Sequence, residues 1–295
     1  MSNLAAIALD VGGTTVDAAC VSADGEIIGG LLENSSPAAG TKDEIVNELA
    51  RVIDAARVRA DGVEVTACGV AMPAPFDYAA GVSYMTHKFQ AIKGEPLGRL
   101  LRAKTGLRTY FVNDADAFGL GVSWRQLPDA KRFVALTIGT GLGGSFIEDG
   151  KHVVAGDLVP PGGEVWDLPF GDGIVEDYVS ARGVVALYGK LRPGDQRSAK
   201  QVSDLALRGD PAAIEAYQAL GTALGSGLAP VLTRFAPEKV VIGGKVGQAI
   251  DLFRPAMEQA LAAAGLTGLP VIQAAPGNMA IWGAARFALA FGAIE

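Results

Sequence analysis

One supersecondary pattern occurs twice in this chain: a short apolar strand, a glycine-rich turn, a second strand, a tight hairpin turn and a third strand. The copies are LAAIALDVGGTTVDAACVSADGEIIGG, which starts at residue 4, and FVALTIGTGLGGSFIEDGKHVV, which starts at residue 133. Self-similarity of this kind indicates a duplicated structural unit. It predicts an α/β fold built from two halves, each with a glycine turn of the type that binds phosphate groups.

Length and charge agree with this prediction and exclude several classes of partner. A chain of 295 residues that is 49% hydrophobic is expected to form two domains of about 100 to 200 residues each. A net charge of −7 without a Lys/Arg run argues against nucleic acid as a partner. Short apolar runs and an N-terminus without a basic region predict neither a membrane span nor a signal peptide, and hence a cytoplasmic protein. We therefore expect a small-molecule partner.

The cysteine and histidine content predicts no zinc site. Cys20 and Cys68 lie in apolar, strand-like contexts, where a buried free thiol is expected rather than a disulfide or a metal ligand. The two histidines are His87 and His152, which with the cysteines form no convincing zinc-binding set.

The segment VNDADAFGLG, residues 112–121, supplies the candidate catalytic group. TYFV before it predicts a short strand, and a helix is predicted from Asp114 onward. A carboxylate at the end of a strand in an α/β fold can accept a proton from a bound hydroxyl. The alternative, that Asp114 only caps its helix, is open on this segment alone. Two neighbouring phosphate-type turns favour the catalytic interpretation.

Three glycine turns are candidate nucleotide-binding elements. Backbone N–H groups in the two repeated turns can bind phosphate oxygens, and these turns hold Gly12, Gly13 and Thr14, and Gly139, Thr140 and Gly141. Asp10, at the end of its strand, can hold Mg²⁺ through water. A third turn, Gly243-Gly244, permits close approach of a flat ligand such as adenine. The GTGLGG sequence is not a dinucleotide fingerprint, because a strand-like pattern rather than a helix follows it.

In this order, the segments resemble the ROK sugar kinases, the bacterial glucokinase-like branch of the actin/hexokinase-fold ATPases. DVGGTT at 10–15 and LTIGTGLGG at 136–144 are similar to the two phosphate motifs, and VNDADAFGLG is similar to the catalytic segment. VVIGG at 240–244 resembles the adenosine motif, and MAIWGAARFA the closing helix. The resemblance implies a two-lobed, actin-like duplicated fold of the ribonuclease H-like class, with an interlobe cleft. It implies lobes at 1–115 and 116–278, with a closing helix at 279–295 that returns to the first lobe, and it extends the homodimer common in the family to this chain.

The chain departs from the family in its sugar-binding loop. The family has a Gly-Glu-x-Gly-His element, followed by a cysteine-rich zinc knuckle and a glutamate. Here Glu164 matches, but Asp167 occupies the histidine position, and the knuckle has no cysteines. Glu176 falls at the position of the glutamate. The resemblance therefore implies that Glu164, Asp167 and Glu176 bind sugar hydroxyls without structural zinc. The change from histidine to aspartate replaces a ring that can donate a hydrogen bond with an acceptor, and so alters the sugar groups that this position can bind.

The sequence thus predicts an ATP- and Mg²⁺-dependent sugar kinase, with Asp114 as general base and Asn113 orienting the sugar or the base. His87 and Lys88, in the polar segment SYMTHKFQAIKG, are candidates for catalysis or phosphate binding, but a lone histidine in a loop is more often a surface group. A second hypothesis is a sugar-binding or regulatory protein on the same fold without catalysis. A third, polyphosphate as donor, would require a basic track that the chain lacks.

Overall fold

The computed structural model describes residues 4–60 and 62–292 and shows a mixed α/β protein. The strands are β1 (Leu4–Val11), β2 (Thr15–Ser22), β3 (Ile27–Ser35), β4 (Glu64–Met72), β5 (Phe76–Asp77), β6 (Val82–Ser83), β7 (Thr109–Asn113), β8 (Arg132–Ile138), β9 (Leu142–Glu148), β10 (Lys151–His152), β11 (Pro169–Phe170), β12 (Gly173–Ile174), β13 (Val240–Gly243) and β14 (Val271–Gln273). The helices are α1 (Lys42–Val58), α2 (Leu97–Thr105), α3 (Asp114–Arg125), α4 (Val175–Tyr178), α5 (Ala181–Leu191), α6 (Ala199–Leu207), α7 (Pro211–Phe235), α8 (Ile250–Ala263) and α9 (Met279–Gly292).

The chain divides into two compact units. The first comprises Met1–Pro128 and Gly277–Glu295, and the second Asp129–Pro276. The boundary expected from the sequence, between 115 and 116, therefore differs from the observed one by one helix. The physical reason is that α3 packs against α9 inside the first unit. Residues 293–295 of the expected closing helix lie outside the described residues.

Each unit contains a five-stranded sheet, and the two sheets have the same topology. The strand order is β3-β2-β1-β4-β7 in the first unit and β10-β9-β8-β13-β14 in the second. In both, three antiparallel strands are followed by two strands parallel to the third. This correspondence confirms the duplication that the repeated sequence pattern predicts.

Close contacts at glycines hold α9 in the first unit. A Cβ added to Gly283 would lie 1.7 Å from the carbonyl oxygen of Ala117 in α3, and one added to Gly121 would lie 1.9 Å from that of Met279. On the sheet side, a Cβ on Gly69 of β4 would lie 2.0 Å from the carbonyl oxygen of Ala284. Glycine at these three positions therefore lets α9 pack closely on both α3 and β4.

The buried thiols also agree with the sequence prediction. Cys20 and Cys68 are free and buried, and they flank Ile7 from the strands on either side of β1. Burial raises the pKa of Cys20 to about 11 and raises that of Cys68 as well. Within residues 4–60 and 62–292, none of the helices combines the length and the hydropathy that a membrane-spanning segment needs.

Candidate active site

Strand register brings Asp10 and Asn113 to the same edge of the first sheet. Asp10 pairs with Ala71 of β4, and the next β4 residue, Met72, pairs with Asn113 of β7. Because β1, β4 and β7 are parallel, their carboxyl ends meet at one edge, where α/β folds bind ligands. The first glycine turn and the start of α3 follow directly from two of these ends. The first unit therefore assembles Asp10, the turn and Asp114 in one place.

Asn113, and not Asp114, caps helix α3. Its Oδ1 accepts hydrogen bonds from the backbone N–H groups of Ala115, at 2.9 Å, and Asp116, at 3.3 Å. Its Nδ2 donates to the Tyr78 hydroxyl at 3.0 Å, and that hydroxyl donates to the Met72 carbonyl. The interpretation of Asp114 as a simple cap is therefore wrong. Both polar ends of Asn113 are occupied within the first unit, so it holds the start of the helix in place.

Asp114 is the first residue of α3 and has a perturbed carboxyl group. Its side chain reaches solvent, but the protein packed around the carboxyl removes much of its hydration, and this burial raises its pKa. The positive charge of Lys88 and backbone hydrogen bonds from Ala115 and Asp114 itself oppose that rise. A carboxylate with a raised pKa beside a glycine turn has the properties of a general base.

Asp10 belongs to a hydrogen-bonded group that local sequence reasoning missed. Asp10 pairs with Asp17 across β1 and β2, and Asn278 Nδ2 donates to Oδ2 of both carboxylates, at 3.3 and 2.8 Å. Burial raises the pKa of Asp10 to about 6, the Asn278 hydrogen bond opposes the rise, and the charges of Asp114 and Asp17 add to it. The hairpin centred on 12–14 was a usable signal for Asp17. Asn278 follows from no local pattern.

In the first glycine turn, one of the three backbone N–H groups predicted to bind phosphate bonds within the turn, and the other two do not. The Gly12 N–H donates to the Thr15 carbonyl at 2.9 Å, so the predicted role of this N–H in binding phosphate is not supported. The Ser36 hydroxyl donates to the Gly12 carbonyl and further fixes the turn. In the described part of the chain, the N–H groups of Gly13 and Thr14 have no hydrogen-bond partner. Two N–H donors of this turn therefore remain for an anion.

In the second glycine turn, too, the N–H of the first glycine bonds within the turn. The Gly139 N–H donates to the Gly141 carbonyl at 2.9 Å, two residues on, whereas the Gly12 N–H donates to a carbonyl three residues on. The N–H groups of Thr140 and Gly141 have no partner within residues 4–60 and 62–292. The Gly139 carbonyl accepts from Ala181 at the start of α5, which holds the turn against that helix.

Glu176 packs against this second turn. Its Oε2 accepts from the Leu142 N–H at 2.9 Å, and its Oε1 pairs with Arg182 at 2.8 Å. A Cβ on Gly141 would lie 2.4 Å from Oε2, so glycine is what lets the carboxylate sit there. Glu176, which the sequence predicts to bind the sugar, thus also packs against the second glycine turn and bonds to it.

The remaining predicted site residues of the second unit occupy different environments. Glu164 is partly buried and accepts from the indole N–H of Trp166 at 3.0 Å, whereas Asp167 is exposed. Val165 between them is buried and packs on Gly144 of β9, which anchors the loop. Gly243 ends β13, and Gly244 has a φ of +83°. A Cβ at Gly244 would lie 2.4 Å from the Ile138 carbonyl oxygen, so close packing against β8 already requires glycine there.

The two candidates in the 83–94 segment separate clearly. His87 is exposed, as expected for a surface group, whereas Lys88 is partly buried and close enough to Asp114 for their charges to interact. A Cβ on Gly13 would lie 3.4 Å from Lys88 Cδ. Lys88 therefore stays a candidate for phosphate binding. Among the described residues, no group of three or more His, Cys, Asp or Glu side chains is placed to hold a metal ion.

Comparison with known proteins gives a consistent result. The ROK family model matches residues 6–159 and 170–288. The glucokinase of Thermotoga maritima is 29% identical over 283 residues, 88% of each chain. The crystal structure of a ROK hexokinase from Thermus thermophilus superposes with a TM-score of 0.84 at 24% identity, covering 99% of this chain and 100% of that one. A ROK family glucokinase from Streptomyces griseus, in complex with glucose and AMPPNP, gives 0.76 at 23% identity, covering 97% and 99%.

The gap in the family match, 160–169, contains the loop where Trp166 and Asp167 depart from the family pattern. Outside this gap the match includes all three glycine turns, Asp114 and most of the closing helix. The structural likeness confirms the predicted fold class. On these grounds, the chain belongs to the ROK family.

Proposed function

We propose that the protein transfers the γ-phosphoryl group of ATP to a hydroxyl group of a hexose or a related sugar. The observation that carries this proposal is the edge of the first sheet, where Asp114, with its raised pKa, lies near Asp10, Lys88 and a turn with two unpaired N–H donors. The glucokinase from Streptomyces griseus, solved with glucose and AMPPNP, supports the choice of substrates.

In the proposed reaction, the sugar hydroxyl oxygen forms a bond to the γ-phosphorus while the bond from that phosphorus to the β,γ-bridging oxygen breaks. The bridging oxygen leaves with the electron pair of that bond as part of ADP. The hydroxyl proton passes to the Asp114 carboxylate, so Asp114 must be ionised before the reaction. Asn113 orients this carboxylate by fixing the start of α3.

The group around Asp10 fits a hydrated magnesium ion. Mg²⁺ prefers carboxylate oxygens and keeps several waters, and Asp10 and Asp17 lie opposite one another on adjacent strands. Asn278 contacts Oδ2 of Asp10, which leaves the other oxygen of that carboxylate for a coordinated water. A bound Mg²⁺ would offset the negative charge of the phosphoryl oxygens. We therefore assign Asp10 to magnesium binding through water.

Backbone donors in both units are assigned to the nucleotide. Gly13 and Thr14 in the first unit, and Thr140 and Gly141 in the second, would donate N–H groups to phosphate oxygens. Gly243 and Gly244 remain the proposed adenosine contact. Support for this comes from the resemblance of VVIGG to the family motif, since packing alone accounts for Gly244.

The sugar would be held by carboxylates of the second unit. Glu164, Asp167 and Glu176 provide acceptors for sugar hydroxyls, and no cysteine of this chain lies in the loop that carries them. Because the family match is interrupted at this loop, we expect the choice of sugar to differ from that of a glucose-specific relative. The cytoplasmic location and the homodimer expected from the sequence stay predictions.

The proposal is tested by measuring ADP release with Mg-ATP against hexoses, N-acetylhexosamines, ketoses and polyols. At least one sugar should give turnover, and its product should carry one phosphate. If no sugar is phosphorylated but one raises the melting temperature, the protein is a sugar-binding protein without kinase activity, and the proposal is wrong. Polyphosphate in place of ATP should give no turnover.

A further inference from the structure

Lys88 is held in place by the two buried side chains around it. Met85 and Phe89 are fully buried, whereas Lys88 between them is partly buried. Phe89 has a φ of +53°, in the left-handed region that non-glycine residues rarely adopt. Its N–H donates to the Ala38 carbonyl at 2.9 Å. Strained backbone of this kind persists only where its surroundings fix it, and it concentrates at functional sites.

The side chain of Lys88 lies over the first glycine turn. Its Cδ is 3.4 Å from the position of a Cβ on Gly13, so the aliphatic stem is in van der Waals range of the turn. The unpaired N–H groups of Gly13 and Thr14 belong to this same turn. An ammonium group on a flexible stem is a common partner for phosphate oxygens.

The surroundings of Lys88 carry several negative charges. Asp114 is close enough to Lys88 for their charges to interact, and Asp114 in turn lies close enough to Asp10 for the two carboxylates to repel. Asp17 adds a third negative charge beside Asp10. An ATP phosphate brought to this turn would meet three carboxylates, and a fixed cation offsets part of that repulsion.

We propose that Lys88 is a catalytic residue that binds the γ-phosphoryl group of ATP during transfer, an inference that rests on the proposed function. As the sugar oxygen bonds to the γ-phosphorus and the bridging oxygen leaves with its electron pair, the ammonium group of Lys88 donates to a non-bridging γ-oxygen. It stays protonated throughout, because the hydroxyl proton passes to Asp114. It stabilises charge on the group in transit.

A purely structural role makes a different prediction. If Lys88 only neutralised Asp114, removing its charge would change stability without distinguishing nucleotides. If it binds the γ-phosphoryl group, its loss must weaken ATP more than ADP, since ADP lacks that group. The ratio of the two dissociation constants therefore separates these roles.

The test compares Mg-ATP and Mg-ADP binding by calorimetry in the wild type, Lys88→Met, Lys88→Arg and the control Lys93→Met, whose exposed lysine lies in the same segment. Loss of a charge-assisted hydrogen bond should weaken Mg-ATP binding to Lys88→Met by about 10- to 100-fold. Mg-ADP binding should change by less than about twofold, within the scatter of surface substitutions. Lys88→Arg should keep most of the preference for ATP, and Lys93→Met should match the wild type.

Equal weakening of both nucleotides in Lys88→Met, or no weakening of either, would overturn the proposal. Binding is measured without sugar, so this result holds whether or not a substrate is known. Turnover adds a second readout: with an active sugar, Lys88→Met should lower kcat and leave the KM for sugar unchanged. If the wild type prefers ATP, Lys88→Met loses this preference and no sugar is phosphorylated, the proposed kinase function is wrong, whereas the contact between Lys88 and the γ-phosphoryl group is supported.

Discussion

At the scale of residues, the candidate site brings together carboxylates whose charges repel one another. Asp10 and Asp17 lie opposite one another on β1 and β2, and Asp114 follows the end of β7 in the same sheet. Burial raises the pKa of both Asp10 and Asp114. Lys88 and Asn278 act in the opposite direction, through a positive charge and a hydrogen bond. The site therefore depends on two residues that do not belong to the sequence motifs around the aspartates.

The raised pKa of Asp114 predicts the pH at which activity falls on the acid side of the pH–activity profile. A general base works only when deprotonated, so activity is lost as the pH falls through the raised pKa of Asp114. The limb in kcat/KM should therefore lie above the usual aspartate value of about 3.9. Lys88→Met removes the charge that opposes the rise, and the limb should move further toward neutral pH. The measurement is kcat/KM against pH, with Lys93→Met as control. A shift of the limb to lower pH in Lys88→Met would exclude the charge interaction inferred between Lys88 and Asp114.

At the scale of elements, both phosphate-type turns are built alike. Each turn uses the N–H of its first glycine internally, at Gly12 and Gly139, and leaves the next two N–H groups unpaired. In the second turn, Glu176 accepts from the Leu142 N–H and packs on Gly141. The carboxylate thereby ties α4 to the turn between β8 and β9.

We expect Gly141→Ala to destabilise the protein more than Gly139→Ala. The new Cβ at 141 would lie 2.4 Å from Glu176 Oε2, whereas nothing lies within 4 Å of one at 139. Displacing Glu176 breaks its hydrogen bond to Leu142, at a cost of about 1–2 kcal/mol. The melting temperature of Gly141→Ala should fall by about 2–4 °C or more relative to Gly139→Ala. Equal melting temperatures would show that Glu176 does not stabilise the turn.

The sequence predicted those parts of the site that depend on local pattern. The strand ends, the glycine turns and the helix that begins at Asp114 follow from apolar runs and turn residues. Contacts between segments that are far apart in the sequence could not be predicted from local patterns. Asn278 reaches Asp10 across 268 residues, and Lys88 reaches the Gly13 turn from a loop without regular periodicity. The occupied N–H groups of Gly12 and Gly139 depend on the conformation of each turn, which glycine leaves open.

At the scale of the whole molecule, duplication organises the chain. Two sheets of identical strand order occupy the two units, and α9 completes the first unit from the far end of the sequence. Asn278, just before α9, bonds to Asp10 and Asp17. Packing of α9 and the geometry of the candidate magnesium site are therefore linked.

Gly283→Ala should destabilise the first unit, because its Cβ would lie 1.7 Å from the Ala117 carbonyl oxygen. Overpacking of this kind costs about 1–3 kcal/mol, or a fall in melting temperature of several degrees. Gly189→Ala is the matched control in α5, where nothing lies within 4 Å of the new Cβ. That variant should be as stable as the wild type or more so, since alanine favours helix. Thermal unfolding of both variants checks this, and a Gly283→Ala protein as stable as Gly189→Ala would contradict the packing of α9 on α3.

The most direct test of the proposed function is the kcat of Asp114→Asn with the best sugar and saturating Mg-ATP. Asp43→Asn, which changes an exposed acidic residue in the first turn of α1, is the control. General-base assistance contributes about 10²- to 10⁴-fold, so Asp114→Asn should lose at least about a hundredfold in kcat at an unchanged melting temperature. Asp43→Asn should keep full activity. A folded Asp114→Asn protein with more than about a tenth of wild-type kcat would contradict the assignment of Asp114 as the base.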